Sequence, residues 1–111
     1  MQEDAPVSAA APRYLTATDL LSLSSEVEQG RFNFIDVRKP EEFAAGHIQG
    51  ATNIPVDDLE KRIETLDRKK KTILYCKAGK RCLRAADILN KEKFEDVLVL
   101  QGGYDAFKAT R

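Results

Sequence analysis

The segment Thr72–Cys82 reads TILYCKAGKRC and carries the pattern that decides the fold. Its first part, Thr72–Tyr75, is apolar and β-branched over a length typical of a buried parallel strand. The segment Arg81–Lys91 after the loop has helical spacing, with apolar residues nearly in line at Leu83, Ala86 and Leu89. A buried strand that leads through a tight loop into a helix is the repeating unit of α/β folds. Ligand sites in such folds lie at the carboxyl ends of the strands, and Cys76 lies at such an end.

The remaining chain alternates between the strand period and the helix period in the same way. Strand patterns occupy Phe32–Val37, Ala51–Ile54 and Val97–Leu100. Helical patterns occupy a segment from Thr18 to Gly30, a short segment that begins at Pro40, the region of Leu59, Ile63 and Leu66, and a short segment after Gly102 and Gly103. Strands joined by helices predict an α/β fold with a mostly parallel central sheet, flanked by helices on both faces.

Length and composition limit the class of protein. A chain of 111 residues can bury one substantial core, so we expect a single domain. The Ala-rich start, Met1–Arg13, contains two prolines and no apolar periodicity, and we interpret it as a flexible leader before a domain at 14–111. It lacks the basic start and apolar stretch of a signal peptide, which favours a cytoplasmic protein, although a mature exported protein can also begin in this way.

Charge and cysteine content exclude several kinds of partner. Eighteen basic residues balance eighteen acidic ones, so we expect neither nucleic acid nor an anionic membrane surface as a partner. The basic run Arg68–Lys71 is interpreted as a solvated turn. The sequence has no run of about 18 apolar residues, so we expect a soluble protein that does not span a bilayer. Separately, we expect it to act as a monomer. Two cysteines and one histidine are too few for the usual four-ligand structural zinc site, so no such site is expected.

The loop after the strand concentrates groups that favour a reactive thiol. Backbone N–H groups without helical partners, together with the positive end of the following helix, can hold an anion. Gly79 allows backbone angles closed to other residues, and Lys77, Lys80 and Arg81 place three cations within five positions of Cys76. The thiolate, which is the nucleophilic form, should be favoured there. Free cysteine is also common as a small buried apolar side chain, so the loop alone leaves both interpretations of Cys76 open.

Several separated segments of the chain resemble the rhodanese family, in the order that the family has them. They are FIDVR at 34–38, EEF at 41–43, GHIQGATNIP at 46–55, CKAGKR at 76–81 and LQGGYDAF at 100–107. The third segment is similar to the Gly-His-Ile-x-Gly-Ala-x-Asn-Ile-Pro signature of the family, and the fourth looks like its six-residue active-site loop. The resemblance runs from about Tyr14 to Phe107 and identifies a rhodanese-like domain.

The resemblance implies a thiosulfate sulfurtransferase, in which Cys76 takes a sulfur atom from a small anionic donor and carries it as a persulfide. The acceptors it implies are cyanide, thiols, thioredoxin-like proteins or sulfur-carrier proteins, and it implies no metal or organic cofactor. The donor and the persulfide would be held by the backbone N–H groups of Lys77, Ala78, Gly79, Lys80 and Arg81. The basic loop favours thiosulfate over mercaptopyruvate, because users of mercaptopyruvate commonly carry Cys-Gly-Ser-Gly.

Three further residues receive accessory or structural roles. Asp36 and Arg38 end a strand beside the expected pocket, where we expect the carboxylate to brace the loop and the arginine to pair with Glu41 or Glu42. Both side chains are structural in this interpretation, and both are candidates for lining the mouth of the pocket. The third residue is His47, and in the resembled family the histidine at this place belongs to a structural loop. We therefore expect His47 to hold the backbone by hydrogen bonding rather than to act as a general base.

Three positions depart from the family pattern. Cys82 stands where serine is commoner, and we expect it to fill a small site in the first helical turn. The alternative is a disulfide that resolves an oxidised Cys76, provided that the two Cα atoms lie within about 7 Å. Phe107 replaces the usual tryptophan, for which we expect only a change in packing. Lys93 occupies a turn position where glycine is frequent, so the exit of the helix should differ locally.

Other functions stay open at this point. Cell-cycle phosphatases of dual specificity and arsenate reductases use a loop of Cys, five residues and Arg, but Arg81 follows Cys76 after only four residues. A non-catalytic rhodanese-like module that binds a partner protein is another alternative, although such modules usually lack the cysteine. A redox sensor built on Cys76 and Cys82 is the third. Thioredoxin-type chemistry is disfavoured because Cys-x-x-Cys spacing is absent.

Overall fold

The computed structural model describes residues 13–77, 81–94 and 96–110. The strands in these ranges are β1 (Arg13–Leu15), β2 (Phe32–Asp36), β3 (Thr52–Asn53), β4 (Lys71–Tyr75) and β5 (Val97–Leu100). The α-helices are α1 (Ala17–Ser22), α2 (Ser24–Glu28), α3 (Pro40–Ala45), α4 (Leu59–Arg62), α5 (Arg81–Lys91) and α6 (Gly103–Thr110), and 3-10 turns at Val56–Asp58 and Ile63–Thr65 flank α4. These strands pair in parallel in the order β1-β5-β4-β2-β3, which confirms the predicted α/β fold.

Side chains alternate across β4 and contribute to a separate core on each face of the sheet. Ile73 and Tyr75 belong to the core that is shared with α1, α2 and α6. Leu74 belongs to the other core, which is shared with α4 and α5. Because both faces are covered, β4 can be apolar at consecutive positions. Helices on both faces of the sheet were predicted, and the two cores confirm them.

Strand β1 was not predicted. The sequence analysis placed Arg13 in the leader, but the structure places it at the start of β1, opposite Leu98 of β5. The Arg13 guanidinium also forms an ion pair with Asp96. A three-residue edge strand is too short to show a period-two pattern, and its identity depends on the strand beside it. Residues 1–12 lie outside the described residues, so the leader stays a prediction for them.

The predicted helix from Thr18 to Gly30 is two helices. The first begins earlier than predicted, at Ala17, because Thr16 rather than Thr18 caps it: Thr16 Oγ1 accepts a hydrogen bond from the Asp19 backbone N–H at 3.0 Å in a capping box. The break lies at Leu23, between α1 and α2. Serines surround this position, and the Ser22 hydroxyl donates to the Thr18 carbonyl at 3.3 Å, which is a contact that competes with regular helix.

The buried face of α5 differs from the predicted one. Leu83 was expected to lie in line with the core residues, but it is 42% exposed. The buried stripe of α5 is formed by Cys82, Ala85, Ala86 and Leu89. This set has the helical spacing i, i+3, i+4 and i+7. The buried stripe therefore begins at Cys82, one residue before the predicted start at Leu83. Small residues at three of these positions allow the helix to pack closely on the sheet.

Lys93 ends the turn after α5 in the left-handed region, with a φ of 69°. A non-glycine residue in this conformation costs about 1–2 kcal/mol. Lys93→Gly should therefore stabilise the protein by up to about 1 kcal/mol, because part of the gain is lost to the larger entropy of glycine in the unfolded chain. Thermal unfolding should show a rise in Tm of a few degrees. Lys91→Gly, within α5, is the control and should lower Tm; equal losses in both variants would be inconsistent with strain at Lys93.

Candidate active site

Cys76 is the first residue after β4 and is 1% exposed. Its backbone carbonyl accepts a hydrogen bond from the Tyr104 N–H at 2.8 Å. The Lys77 carbonyl accepts one from the Asp105 N–H at 3.1 Å. Both donors belong to the first turn of α6, whose N–H groups have no partners within the helix. The first two residues of the loop are therefore held by a helix that is distant in the sequence, since Tyr104 lies 28 positions after Cys76.

Gly103 makes this contact between α6 and the loop possible. Its φ is 63°, and a Cβ atom at this position would collide with the Cys76 carbonyl oxygen and would lie 2.7 Å from the Lys77 carbonyl oxygen. Both the backbone conformation and the close approach therefore require glycine. The sequence pattern singled out Gly102 and Gly103 only as a turn. Their place against Cys76 could not be predicted from spacing.

The loop itself is only partly described. Lys77 is exposed, and its Nζ lies 3.6 Å from the Asp105 carboxylate, in a pair that water screens. Ala78, Gly79 and Lys80 lie outside the described residues, and of Arg81 only its place at the start of α5 is described. The assignment of these residues to donor binding stays a prediction. Since α5 begins directly after the loop, its positive end is close to the loop backbone.

Asp36 and Arg38 form a buried ion pair at the carboxyl end of β2. Arg38 donates from Nε to both Asp36 oxygens at 3.0 Å and from a terminal nitrogen at 2.7 Å, and its backbone N–H donates to the same carboxylate at 2.9 Å. The sequence analysis predicted Glu41 or Glu42 as the partner of Arg38, and this was wrong. The guanidinium folds back toward β2, because only there does a buried carboxylate satisfy its donors. Burial lowers the pKa of Arg38, but the hydrogen bonds and charge of Asp36 outweigh it and raise that pKa above its usual value.

Arg38 also connects the end of β2 to α6. Its guanidinium carbon lies 4.4 Å from the centre of the Tyr104 ring, a cation–π contact, and it donates to the Gly46 carbonyl at 2.7 Å. Arg38, Gly46, Lys77 and Tyr104 line a surface cleft beside the Cys76 loop. Arg38 therefore lines this cleft, whereas Asp36 is fully buried behind it. Their place at the mouth of a donor pocket stays a prediction.

Tyr75 and Tyr104 are two site residues to which the sequence analysis gave no role. Tyr75 directly precedes Cys76, and its buried hydroxyl accepts the Ile48 backbone N–H at 3.0 Å. Burial raises the pKa of the Tyr75 phenol, so the hydroxyl stays neutral. This bond joins the end of β4 to the 46–55 segment. Tyr75 stands directly before the loop in the sequence, which is a signal, but one that also fits an ordinary core strand. Tyr104 lies 28 positions after Cys76, and its spacing gives no such signal.

His47 has the surroundings of a structural residue. Its Nδ1 lies 3.0 Å from the Phe43 carbonyl oxygen, and its ring stacks on the Phe43 ring with centroids 3.8 Å apart. Both contacts join His47 back to Phe43 in α3, which fits the backbone role expected for it. Within the described residues, no group of three or more His, Cys, Asp or Glu side chains could hold a metal ion. Over the same ranges, no helix has the length and apolar character needed to cross a membrane.

The domain that carries Cys76 at the end of a central parallel strand is similar to known proteins. The family model described as "Rhodanese-like domain" matches residues 17–110. The chain belongs to the rhodanese family. The matched segment contains Cys76, the buried pair of Asp36 and Arg38, and the Gly103 turn, so the whole site described above lies inside this rhodanese-like domain.

The relatives of this rhodanese-like domain include sulfurtransferases. The chain is 43% identical over 70 residues to the uncharacterized protein YqhL of Bacillus subtilis, covering 63% of this chain and 56% of YqhL. It is 37% identical over 67 residues to the thiosulfate sulfurtransferase PspE of Escherichia coli, covering 59% of this chain and 64% of PspE. It thus spans less than two thirds of either relative. The human single-domain sulfurtransferase TSTD1 superposes with a TM-score of 0.78 at 26% identity, over 91% of this chain and 99% of that protein.

Proposed function

We propose that this rhodanese-like domain is a sulfurtransferase that moves sulfane sulfur from thiosulfate, or a related persulfide donor, to cyanide or a thiol. The observation that carries the proposal is the placement of Cys76. It ends a buried strand, its carbonyl is held by the first turn of α6, and α5 begins four residues after Lys77. Relatives named as thiosulfate sulfurtransferases support the choice of donor.

The proposed cycle has two displacement steps on sulfur. The Cys76 thiolate attacks the outer sulfur of thiosulfate, the sulfur–sulfur bond of the donor breaks, and sulfite leaves with the bonding electrons. The product is a persulfide on Cys76. A nucleophilic acceptor, such as cyanide or a thiol, then attacks the terminal sulfur, and the Cys76 thiolate leaves. Each step is a nucleophilic substitution, so the protein needs only to stabilise anionic sulfur and to orient it.

The loop is proposed to supply that stabilisation. Its backbone N–H groups, from Lys77, Ala78, Gly79, Lys80 and Arg81, would hold the oxygens of the donor and the charge of the persulfide. The contacts from α6 support this role, because they fix the backbone at the start of the loop. Lys77 lies at the cleft and brings positive charge to the approach of an anionic donor. No metal or organic cofactor takes part in the proposed steps.

The position of Cys82 favours sulfur transfer over phosphate chemistry. A phosphatase loop of Cys, five residues and Arg would need its arginine at position 82. In this protein that position holds a thiol that is fully buried against the sheet. A phosphate bound in the loop would therefore lack the bidentate partner that an arginine provides.

Intact mass spectrometry after treatment of the reduced protein with thiosulfate tests the proposal. The wild type should gain the mass of one sulfur atom, and cyanide should then release it as thiocyanate. Cys76→Ser should gain nothing, because the variant lacks the attacking thiolate, whereas Cys82→Ser should still take up sulfur. If neither the wild type nor Cys82→Ser gains sulfur from thiosulfate, mercaptopyruvate or a persulfide donor, the enzyme proposal fails. Partner binding or disulfide sensing would then replace it.

A further inference from the structure

Cys82 is a second buried thiol that the proposed sulfur-transfer cycle does not use. It lies in the first turn of α5 and is fully buried. It belongs to the same packed core as Cys76, together with Leu74 and Ala85. The sequence contains no other cysteine, and neither of these two forms a disulfide in the part of the chain that the structure describes.

The fold brings the two thiols to the same end of one interface. Cys76 continues the alternation of β4, and like Leu74 it belongs to the core on the α5 side of the sheet. The buried stripe of α5 begins at Cys82 and packs onto that same core. Because only the short loop 76–80 joins β4 to α5, both cysteines lie at the carboxyl end of β4 rather than at opposite ends of the helix layer. A bridge between them would have to span Cα atoms about 4.4–6.8 Å apart.

The geometry points to Cys82 as an internal acceptor that releases the sulfur of the Cys76 persulfide as hydrogen sulfide, an inference that rests on the proposed function. The Cys82 sulfur attacks Cys76 Sγ, and a disulfide bond forms between the two cysteines. The bond between Cys76 Sγ and the sulfane sulfur breaks, and that sulfur leaves with the bonding electrons and the thiol proton of Cys82. The sulfane sulfur is thereby reduced to sulfide while the two cysteines are oxidised, so no outside oxidant is needed.

Burial favours this internal step when no small acceptor is present. Cys76 is 1% exposed, so an outside thiol must reach a shielded sulfur, whereas Cys82 is already inside the same core. A correctly placed internal nucleophile acts at an effective concentration far above that of a dissolved thiol. Reduction of the disulfide by exchange with an external thiol, slower because both sulfurs are buried, would then restore both cysteines. The domain would in this way convert an anionic sulfane-sulfur donor into sulfide at the expense of two thiols.

This inference is tested by following the sulfur bound to Cys76 and by dividing the amount of sulfide released by the amount of persulfide formed. The reduced full chain is loaded with thiosulfate, freed of excess donor and incubated anaerobically without acceptor. Released sulfide is measured together with the intact mass. The wild type should lose the added sulfur and two hydrogen atoms, and should release one sulfide per chain. Peptide mapping should then find the bridge between Cys76 and Cys82. The persulfide of Cys82→Ser should survive about tenfold longer or more.

Cys82→Ala is a second variant that lacks the thiol but keeps an apolar side chain in the core. It should behave like Cys82→Ser, and cyanide added at the start should show how much persulfide each protein carries. A wild-type persulfide that lasts as long as those of the variants, with no disulfide, would overturn the inference and leave the proposed function intact. If none of the proteins carries sulfur at the start, the proposed function fails, and this inference fails with it.

Discussion

Gly103→Ala is expected to remove most of the sulfur uptake by Cys76 and to lower the stability of the protein. A Cβ atom at this position would collide with the Cys76 carbonyl oxygen and lie 2.7 Å from that of Lys77, at a φ of 63° that already disfavours alanine. The first turn of α6 must then move away, and the hydrogen bonds from Tyr104 and Asp105 to the loop are lost. Strain and lost hydrogen bonds together should cost about 2–4 kcal/mol.

Gly30→Ala is the matched control for this substitution. Gly30 has a similar φ of 78°, but a Cβ atom there would meet no other atom within 4 Å. The control should therefore lose only about 1–2 kcal/mol of stability, from the unfavourable backbone conformation of alanine, and should keep its sulfur uptake. Thermal unfolding and thiosulfate loading of the two variants separate strain from displacement of the loop. If Gly103→Ala takes up sulfur at the wild-type rate, the contact between α6 and the loop does not position Cys76.

Asp36→Asn should destabilise the protein by about 3–5 kcal/mol, a large part of the stability of a small domain. The substitution keeps the shape of the side chain but removes the carboxylate that forms the buried ion pair with Arg38. Arg38 has 5% side-chain exposure in this pair and Asp36 has none, so water cannot replace the lost charge. The loss should also reach the site, because Arg38 packs on the Tyr104 ring and donates to Gly46.

The same substitution at an exposed ion pair is the control. Asp57 and Arg84 pair at 2.9 Å with side-chain exposures of 80% and 62%, so Asp57→Asn should cost less than about 1 kcal/mol. Urea unfolding gives both free energies, and only the small effect at Asp57 should vanish in high salt. Equal costs for the two variants would show that the Asp36–Arg38 pair contributes no more than a surface contact.

Much of the fold was predictable because its signals are local. The apolar run of Thr72–Tyr75 and the helical spacing after Arg81 identify a buried strand and a helix from neighbouring residues alone. The position of Cys76 at a strand end followed from the same segment. The short edge strand β1 and the break at Leu23 were missed, because strand pairing and local side-chain hydrogen bonds outweigh propensity in such short elements.

For the candidate active site, too, local features could be predicted and contacts between distant residues could not. The sequence by itself determined the α/β class, the place of Cys76 and a basic loop next to it, since each depends on residues adjacent in the chain. Only the tertiary structure decided that Gly103 and Tyr104 hold that loop and that Arg38 pairs with Asp36 instead of Glu41 or Glu42. These contacts depend on how elements that are distant in the sequence pack against each other and on which charges become buried. Hydrophobic periodicity records which side chains are buried, but it does not record which buried groups meet.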